Sequence, residues 1–365
     1  QSLFLGCKSD CKNEVIEAKR QEELAKRLKD LYFGVWKSDF KIHSKNEALW
    51  GNGYTKSRTG FGQNLKAYTQ TEIERFIVNT DEHTFPNFIQ DGIVIRNTDF
   101  RVMPTSAPFF FNPQNSGQGY PFDYFQNSKV YFNTPVKILH ISRDRGWVFA
   151  QSYFVSGWVS VHDIGLVDEE FKSKFVTDSI ASPVYDNLLL QERFLIESIK
   201  VGTIFPLNEE GKIYYATKSG SRAILQSTAM NGHFVKIPKF ATKENIALIA
   251  EQMLGSKYGW GSFPEGRDCS MLTRDIFVPF GVYLPRNSHA QAFHGSGEYV
   301  DLSNMNDAKK EDYILKNGTP FLSLLYMKGH VMLYIGEYQG KALIYHDVWG
   351  VRTINNGASG RFIIG

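Results

Sequence analysis

The sequence predicts an α+β multidomain fold, and three observations carry that expectation. An apolar period of helical spacing lies near the N-terminus, short alternating segments begin at about residue 92, and helical spacing returns at 242. A chain of 365 residues exceeds what one core organises, since domains run to about 100–200 residues. We therefore read an N-terminal helical segment at 1–85, a first β-barrel at 86–175, a second at 176–240 and a helix-then-strand domain at 241–365.

The N-terminal helix is expected over 12–36, because Leu24, Leu28, Leu31 and Val35 recur on one face and Glu23 reaches Arg27 one turn on. We read it as a cap or spacer. Ahead of it, Leu3-Phe4-Leu5-Gly6-Cys7 resembles the end of a lipoprotein signal, which would attach the chain to a membrane through lipid on Cys7 and place it in the cell envelope. A frayed terminus explains the fragment equally well, and Cys7 and Cys11 are also able to pair. No apolar run approaches the ~20 residues that span a bilayer.

The first barrel is read from Ile93-Val94-Ile95, Val130-Tyr131-Phe132, Val136-Lys137-Ile138-Leu139 and Trp147-Val148-Phe149, each bounded by turn residues. Gly146-Trp147-Val148 and Gly157-Trp158-Val159 repeat at the spacing of consecutive strands and resemble the closing strands of bacterial SH3-like domains; two unrelated core tryptophans are the plainer reading. Between Pro104 and Phe125 runs a long loop rich in Pro, Gly, Asn and aromatics. The second barrel rests on Phe194-Leu195-Ile196, Lys212-Ile213-Tyr214-Tyr215 and Phe234-Val235-Lys236-Ile237. At 242 a helix follows, with Ile246, Ile249, Ala250 and Met253 on one face and Gly255 at its end.

Composition narrows the function. Lys plus Arg number 41 against 38 acidic residues, and no stripe gathers the +3 charge, so nucleic acid is not an expected partner. The chain has 3 cysteines, and after Cys7 and Cys11 only Cys269 remains, which excludes a disulfide scaffold and a Cys-rich zinc module.

Cys269 stands at the start of a predicted helix that contains Met271, Leu272, Ile276 and Phe277 and ends at Pro279 and Gly281. Free amides and the helix dipole there favour a thiolate. Such a nucleophile needs a base. His330 opens an alternating strand through Ile335, and a three-residue loop from Gly336 to Gly340 would set His346 directly opposite His330, fixing its tautomer. The bland readings are an inert buried thiol and structural histidines. A zinc site of Cys269, His330 and His346 is a third reading, although it lacks the short-range ligand pairs of zinc motifs.

Five elements in order, Tyr258-Gly259-Trp260-Gly261, Asp268-Cys269-Ser270, Leu284-Pro285-Arg286-Asn287-Ser288 with Gln291, Gly329-His330-Val331 and His346, resemble the NlpC-type family of cell-wall cysteine peptidases. Met271 replaces the family's usual Gly, and 294–320 reads as an insertion. The resemblance implies a papain-like α+β peptidase domain behind two SH3-like β-barrels. It implies hydrolysis of the γ-D-glutamyl–diamino acid bond of peptidoglycan stem peptides, with no metal or organic cofactor. Cys269, His330 and His346 would be catalytic, and Tyr258 would serve the oxyanion. Asp268, Ser270 and Ser288 would line the pocket for the substrate's amine; a helix cap for Asp268 and a turn hydroxyl for Ser288 are the structural alternatives. Arg286 reads slightly better as a structural tie than as a carboxylate binder. The loop around Tyr120, Asp123 and Tyr124 would wall the cleft, or else plug the barrel's own core. A rival function is a catalytically idle cell-wall-binding protein.

Overall fold

The computed structural model describes residues 12–115, 117–192, 195–295, 297–355 and 358–363. Cys7, Cys11 and Phe194, which figured in the sequence reading, lie outside them. The N-terminal part holds α1 (Ala18–Gly34), α2 (Lys45–Ala48), α3 (Trp50–Lys56) and α4 (Gln70–Asn79). Next come β1 (Gln90–Val94), β2 (Thr98–Arg101), β3 (Gln126–Val130), β4 (Pro135–Ile141), β5 (Trp147–Gln151), β6 (Ser156–Ser160) and β7 (Ile164–Leu166). After α5 (Glu169–Phe175) a second β-region runs through β8 (Ser179–Pro183), β9 (Leu188–Glu192), β10 (Leu195–Ile199), β11 (Phe205–Leu207), β12 (Lys212–Ser219), β13 (Arg222–Ala229) and β14 (Phe234–Lys236). The last part contains α6 (Lys243–Glu251), α7 (Cys269–Phe277), α8 (Ser288–His294) and α9 (Asp307–Asn317). It closes with β15 (Leu324–Met327), β16 (His330–Tyr338), β17 (Lys341–Tyr345), β18 (Gly350–Asn355) and β19 (Ala358–Ile363).

The first helix is shorter than expected and is not a spacer. Its apolar face is wider than a surface stripe: Leu24, Ala25, Leu28, Tyr32 and Phe33 are all buried. Leu28, Tyr32 and Phe33 pack with Phe171, Ile180 and Ile204 of the β-regions, while Leu24 packs with Ile246 and Leu272 of the last part. Buried polar groups are satisfied across the same joints. The Tyr32 hydroxyl donates to the Asn133 carbonyl at 2.6 Å, and the Gln21 amide donates to the Lys239 and Phe280 carbonyls. The helix therefore pins all three regions together.

The two β-regions are not separate sheets. Their strands form one 12-stranded hydrogen-bonded order, β14-β8-β11-β12-β13-β7-β1-β4-β5-β6-β2-β3. The joint is a short parallel contact between β7 and β13 at Leu166 and Arg222. Gly165 permits it, because a Cβ there would stand 3.0 Å from the Ala223 methyl. The two Gly-Trp-Val segments lie on β5 and β6, which pair with Phe149 opposite Trp158. The segment Val130-Tyr131-Phe132 leaves its strand after Val130.

The long aromatic loop plugs a core, but not the barrel's own. Phe109 and Phe125 stack at 4.6 Å and are fully buried with Ile73, Val102 and Met103. Ile73 belongs to α4, so the loop fastens the N-terminal helices to the first β-region.

In the last part α6 and α7 pack on the three-stranded sheet β15-β16-β17, with Ile246, Leu272, Ile276, Leu333 and Tyr345 in one cluster. The loop between β16 and β17 has two residues, not three. Gln339 and Gly340 both take positive φ, 51° and 76°, which the tightest hairpin turns require. Tyr338 consequently pairs with Lys341 and Gly336 with Leu343, a register that would turn His346 away from the His330 face. A bulge between Tyr334 and Gly336 then inserts one residue, and beyond it Leu333 pairs with Tyr345. Continued one step, that register sets His346 against Met332, diagonal to His330 and on its face. The expected direct opposition is thus wrong by two residues, yet the shared face survives.

Candidate functional site

The site begins at the N-terminus of α7. Asp268 is the N-cap, and its Oδ1 accepts from the Met271 amide at 2.9 Å. Cys269 is the first helical residue and is buried. Among the described residues it is the free cysteine. The backbone amides of Val331 and Ser270 bear on its thiol and favour the charged form. Val331 follows His330, so the strand that carries the imidazole also touches the thiol.

His330 opens β16 after the two-residue turn Lys328-Gly329, where Gly329 takes φ 83°. Its Nε2 lies 2.8 Å from Nδ1 of His346. That bond occupies one ring nitrogen of His330 and leaves Nδ1 for proton exchange. The electrostatics run against the dipole argument made from the sequence. Burial pushes the Cys269 thiol up to about 11, the Asp268 carboxylate adds to it, and the Val331 and Ser270 amides offset only part. Burial, then the neighbouring His346, takes His330 down to about 4. At neutral pH both partners are therefore uncharged at rest.

Asp268 departs from the free carboxylate expected for an amine pocket. Arg286 forks onto both of its oxygens, at 3.0 and 2.7 Å, and Oδ1 also accepts from the Ser270 hydroxyl at 3.0 Å. Arg286 continues to the Ser128 hydroxyl at 2.6 Å, so it ties its loop both to Asp268 and to the first β-region. Gln291 is structural as well: it accepts from Thr273 and donates to the Ser270 and Pro285 carbonyls.

A cavity of about 660 Å³ opens beside Cys269 and brings together Tyr124, Tyr258, Asp268, Ser270 and Ser288. Tyr258 is held protonated, its pKa raised far by burial and by Asp268. Tyr124 stacks on Phe111 and tilts against Trp260, which lines the same cavity. The other two loop residues do not serve there. Asp123 is buried, paired with Arg101 and bonded to the Phe109 and Phe125 amides. Tyr120 is 71% exposed and borders a different cavity of about 370 Å³.

Sequence reasoning missed His43, Trp50 and Tyr54, which line the same 660 Å³ cavity from the N-terminal part. No local pattern marks them, since they meet the site only through tertiary packing. It also missed Asp347, whose buried Oδ2 has no hydrogen-bond partner. Among the described residues no group of three or more His, Cys, Asp or Glu is arranged to hold a metal ion, so the zinc reading finds no support in the geometry.

Family models match three stretches of the chain. Residues 255–356 match the NlpC/P60 family, 5–85 match its N-terminal stabilising domain, and 108–160 match an SH3 domain of the SH3b1 type. The chain carries an NlpC/P60 domain. The NlpC/P60 stretch contains Tyr258, Cys269, His330 and His346, and the SH3 stretch contains Tyr124. A solved structure of an NlpC/P60 endopeptidase from Photobacterium damselae subsp. piscicida superposes with a TM-score of 0.86 at 26% identity, covering 98% of this chain and 87% of that one. Probable endopeptidases from two strains of Corynebacterium glutamicum are 40% identical over 67 residues, 18% of this chain and 32% of each relative. The match thus spans about a third of those curated relatives. Among the described residues no helix is long and apolar enough to cross a membrane.

Proposed function

We propose that the protein is a cysteine endopeptidase of the cell envelope that hydrolyses the γ-D-glutamyl–diamino acid bond of peptidoglycan stem peptides. Cys269 is the nucleophile, His330 its base and His346 the group that orients His330. One observation carries the reading: the strand that packs on the Cys269 helix opens with His330, whose Nε2 lies 2.8 Å from Nδ1 of His346. Residues 241–365 then form a papain-like domain, and 86–175 and 176–240 form two SH3-like barrels, the first of which restricts the cleft through Tyr124.

The chemistry follows from two neutral partners. As the sulfur bonds to the isopeptide carbonyl carbon, its proton passes to His330. The Tyr258 hydroxyl donates to the oxygen that becomes negative. The C–N bond then breaks, His330 returns the proton to the departing amine, and a thioester remains. Water attacks that thioester, gives its proton to His330, and the thiol is restored.

Purified stem peptides, analysed by mass spectrometry, test the reading. Cys269→Ala is expected to lower product release by at least about 10³-fold while leaving the fold intact. Equal release by the wild type and the variant would refute the enzyme and favour a wall-binding protein instead.

A further inference from the structure

His346 stands on a segment without regular structure. β17 ends at Tyr345 and β18 begins at Gly350, and the two strands belong to different sheets, so residues 346–349 form a strap between them. A strap with no ladder of its own holds a side chain only as firmly as its two ends are held. The first end is fixed within the last part of the chain. Tyr345 is buried with Ile276 and Leu333, and its hydroxyl donates to the Ala250 carbonyl at 2.8 Å.

The second end is fixed on another part of the molecule. Trp349 lies against the aromatic loop between β2 and β3, where its ring meets that of Phe122 edge to face with the centroids 4.9 Å apart. The far edge of the indole covers Gly117 so closely that a Cβ there would stand 2.8 Å from Cη2, and Gly117 takes φ 78°, which a side chain would strain. Phe122 is 2% exposed and meets Trp260 at 5.7 Å, and Trp260 lines the cavity beside Cys269. The indole thus has a seat shaped for it: a glycine that leaves room for the ring and a buried phenyl ring at its side. Three residues separate the anchored indole from His346, and three residues reach about 10 Å at most, too short a tether to absorb a displacement of either end.

We propose that Trp349 is a positioning residue: seated on Gly117 and Phe122, it holds the strap that sets His346 against His330. This rests on the peptidase reading of Cys269 and adds that the first β-region takes part in orienting the base. Among the described residues, those lining the cavity do not include Trp349, Phe122 or Gly117, so the effect belongs in the rate of the bound substrate and not in its binding. A contact that only glued two parts of the chain together would lower stability and leave that rate alone.

Steady-state cleavage of purified stem peptides by the full chain tests it. Trp349→Ala is expected to lower kcat about ten-fold with KM within about two-fold, and Trp349→Phe, which keeps a ring on the seat, to recover most of the loss. Gly117→Ala, made on the other side of the contact, is expected to reproduce the loss. In a His346→Ala background, Trp349→Ala and Gly117→Ala are each expected to change kcat by less than about two-fold, because the group they position is gone. An unchanged kcat for Trp349→Ala, a loss confined to KM, or a loss that persists undiminished in the His346→Ala background overturns the proposal. Should Trp349→Ala fail to fold, Gly117→Ala decides by the same criteria. Should the wild type release nothing from stem peptides, the peptidase reading has failed separately, and nitrogen NMR of the histidine rings decides the positioning. With signals assigned through His330→Ala and His346→Ala, Trp349→Ala is expected to shift the ring nitrogens of both histidines; unshifted signals remove the proposal.

Discussion

The helix that presents Cys269 and the strand that presents His330 are held in different ways. Around the start of α7 a set of buried polar groups answer one another: Asp268 caps the helix, Arg286 forks onto it, and Gln291 ties down the Ser270 and Pro285 carbonyls. His330 and His346 are only partly covered, and one ring-to-ring bond joins them. The thiol sits beside this satisfied network, and the imidazole sits on a sheet whose register depends on one bulge. In the proposed mechanism stability is concentrated on the first side and proton transfer on the second, so changes to the two sides are expected to have different readouts.

The largest expected effect tests the helix side. Arg286→Met leaves Asp268 buried without a counter-charge, and losing one member of a buried pair costs about 3–5 kcal/mol. Urea denaturation followed by circular dichroism measures it. A cost below about 1 kcal/mol would mean that the network is not what holds α7 in place.

The strand side is expected to respond in rate. His346→Ala removes the bond that orients His330 and should lower kcat by about 10²-fold, with stability changed by no more than about 0.5 kcal/mol. Partial rescue by His346→Asn distinguishes orientation from packing. If His346→Ala destabilises as much as Arg286→Met, the contrast between the two sides disappears.

The same contrast explains what could be read in advance. The Cys269 helix was legible because its signals are local: a cap, an apolar spacing and a Pro-Gly stop within 14 residues of sequence, Asp268 to Gly281. The relation of His330 to His346 came out right in face and wrong in register, because no pattern announced that Gln339 would take a left-handed turn or that a bulge would follow. The thiol's environment was misjudged for a related reason. A helix terminus is visible in sequence, whereas the burial that outweighs it comes from tertiary packing, that of β16 on α7 included. His43, Trp50 and Tyr54 were beyond reach, since they stand more than 200 positions from Cys269 in the sequence.

A smaller effect sharpens the electrostatic half of the comparison. With the thiol raised to about 11 and His330 lowered to about 4, alkylation of Cys269 by iodoacetamide is expected to rise with pH toward a midpoint well above the ordinary thiol value of about 8.5. A midpoint at or below 7 would reveal a resting thiolate–imidazolium pair and would restore the dipole argument.

Asp347 supplies the smallest effect and joins the two sides, for it follows His346 while Asp268 bears on it. Burial, then Asp268, pushes its carboxyl up to about 7, and its buried Oδ2 has no partner. An unfolded carboxyl releases its proton near 3.9, so between about pH 4 and 7 the folded chain holds a proton that the unfolded chain has lost. Stability contributed by this group therefore falls as pH rises through that window and is lowest above 7. Asp347→Asn removes the titration. Its gain should be absent at pH 4 and reach about 1–2 kcal/mol at pH 8, a figure reduced for the group's partial contact with solvent. Thermal melts at the two pH values measure it. A gain of equal size at both would trace to packing and not to charge, and a loss at pH 8 would mean that the carboxylate has a cationic partner on the His346 side.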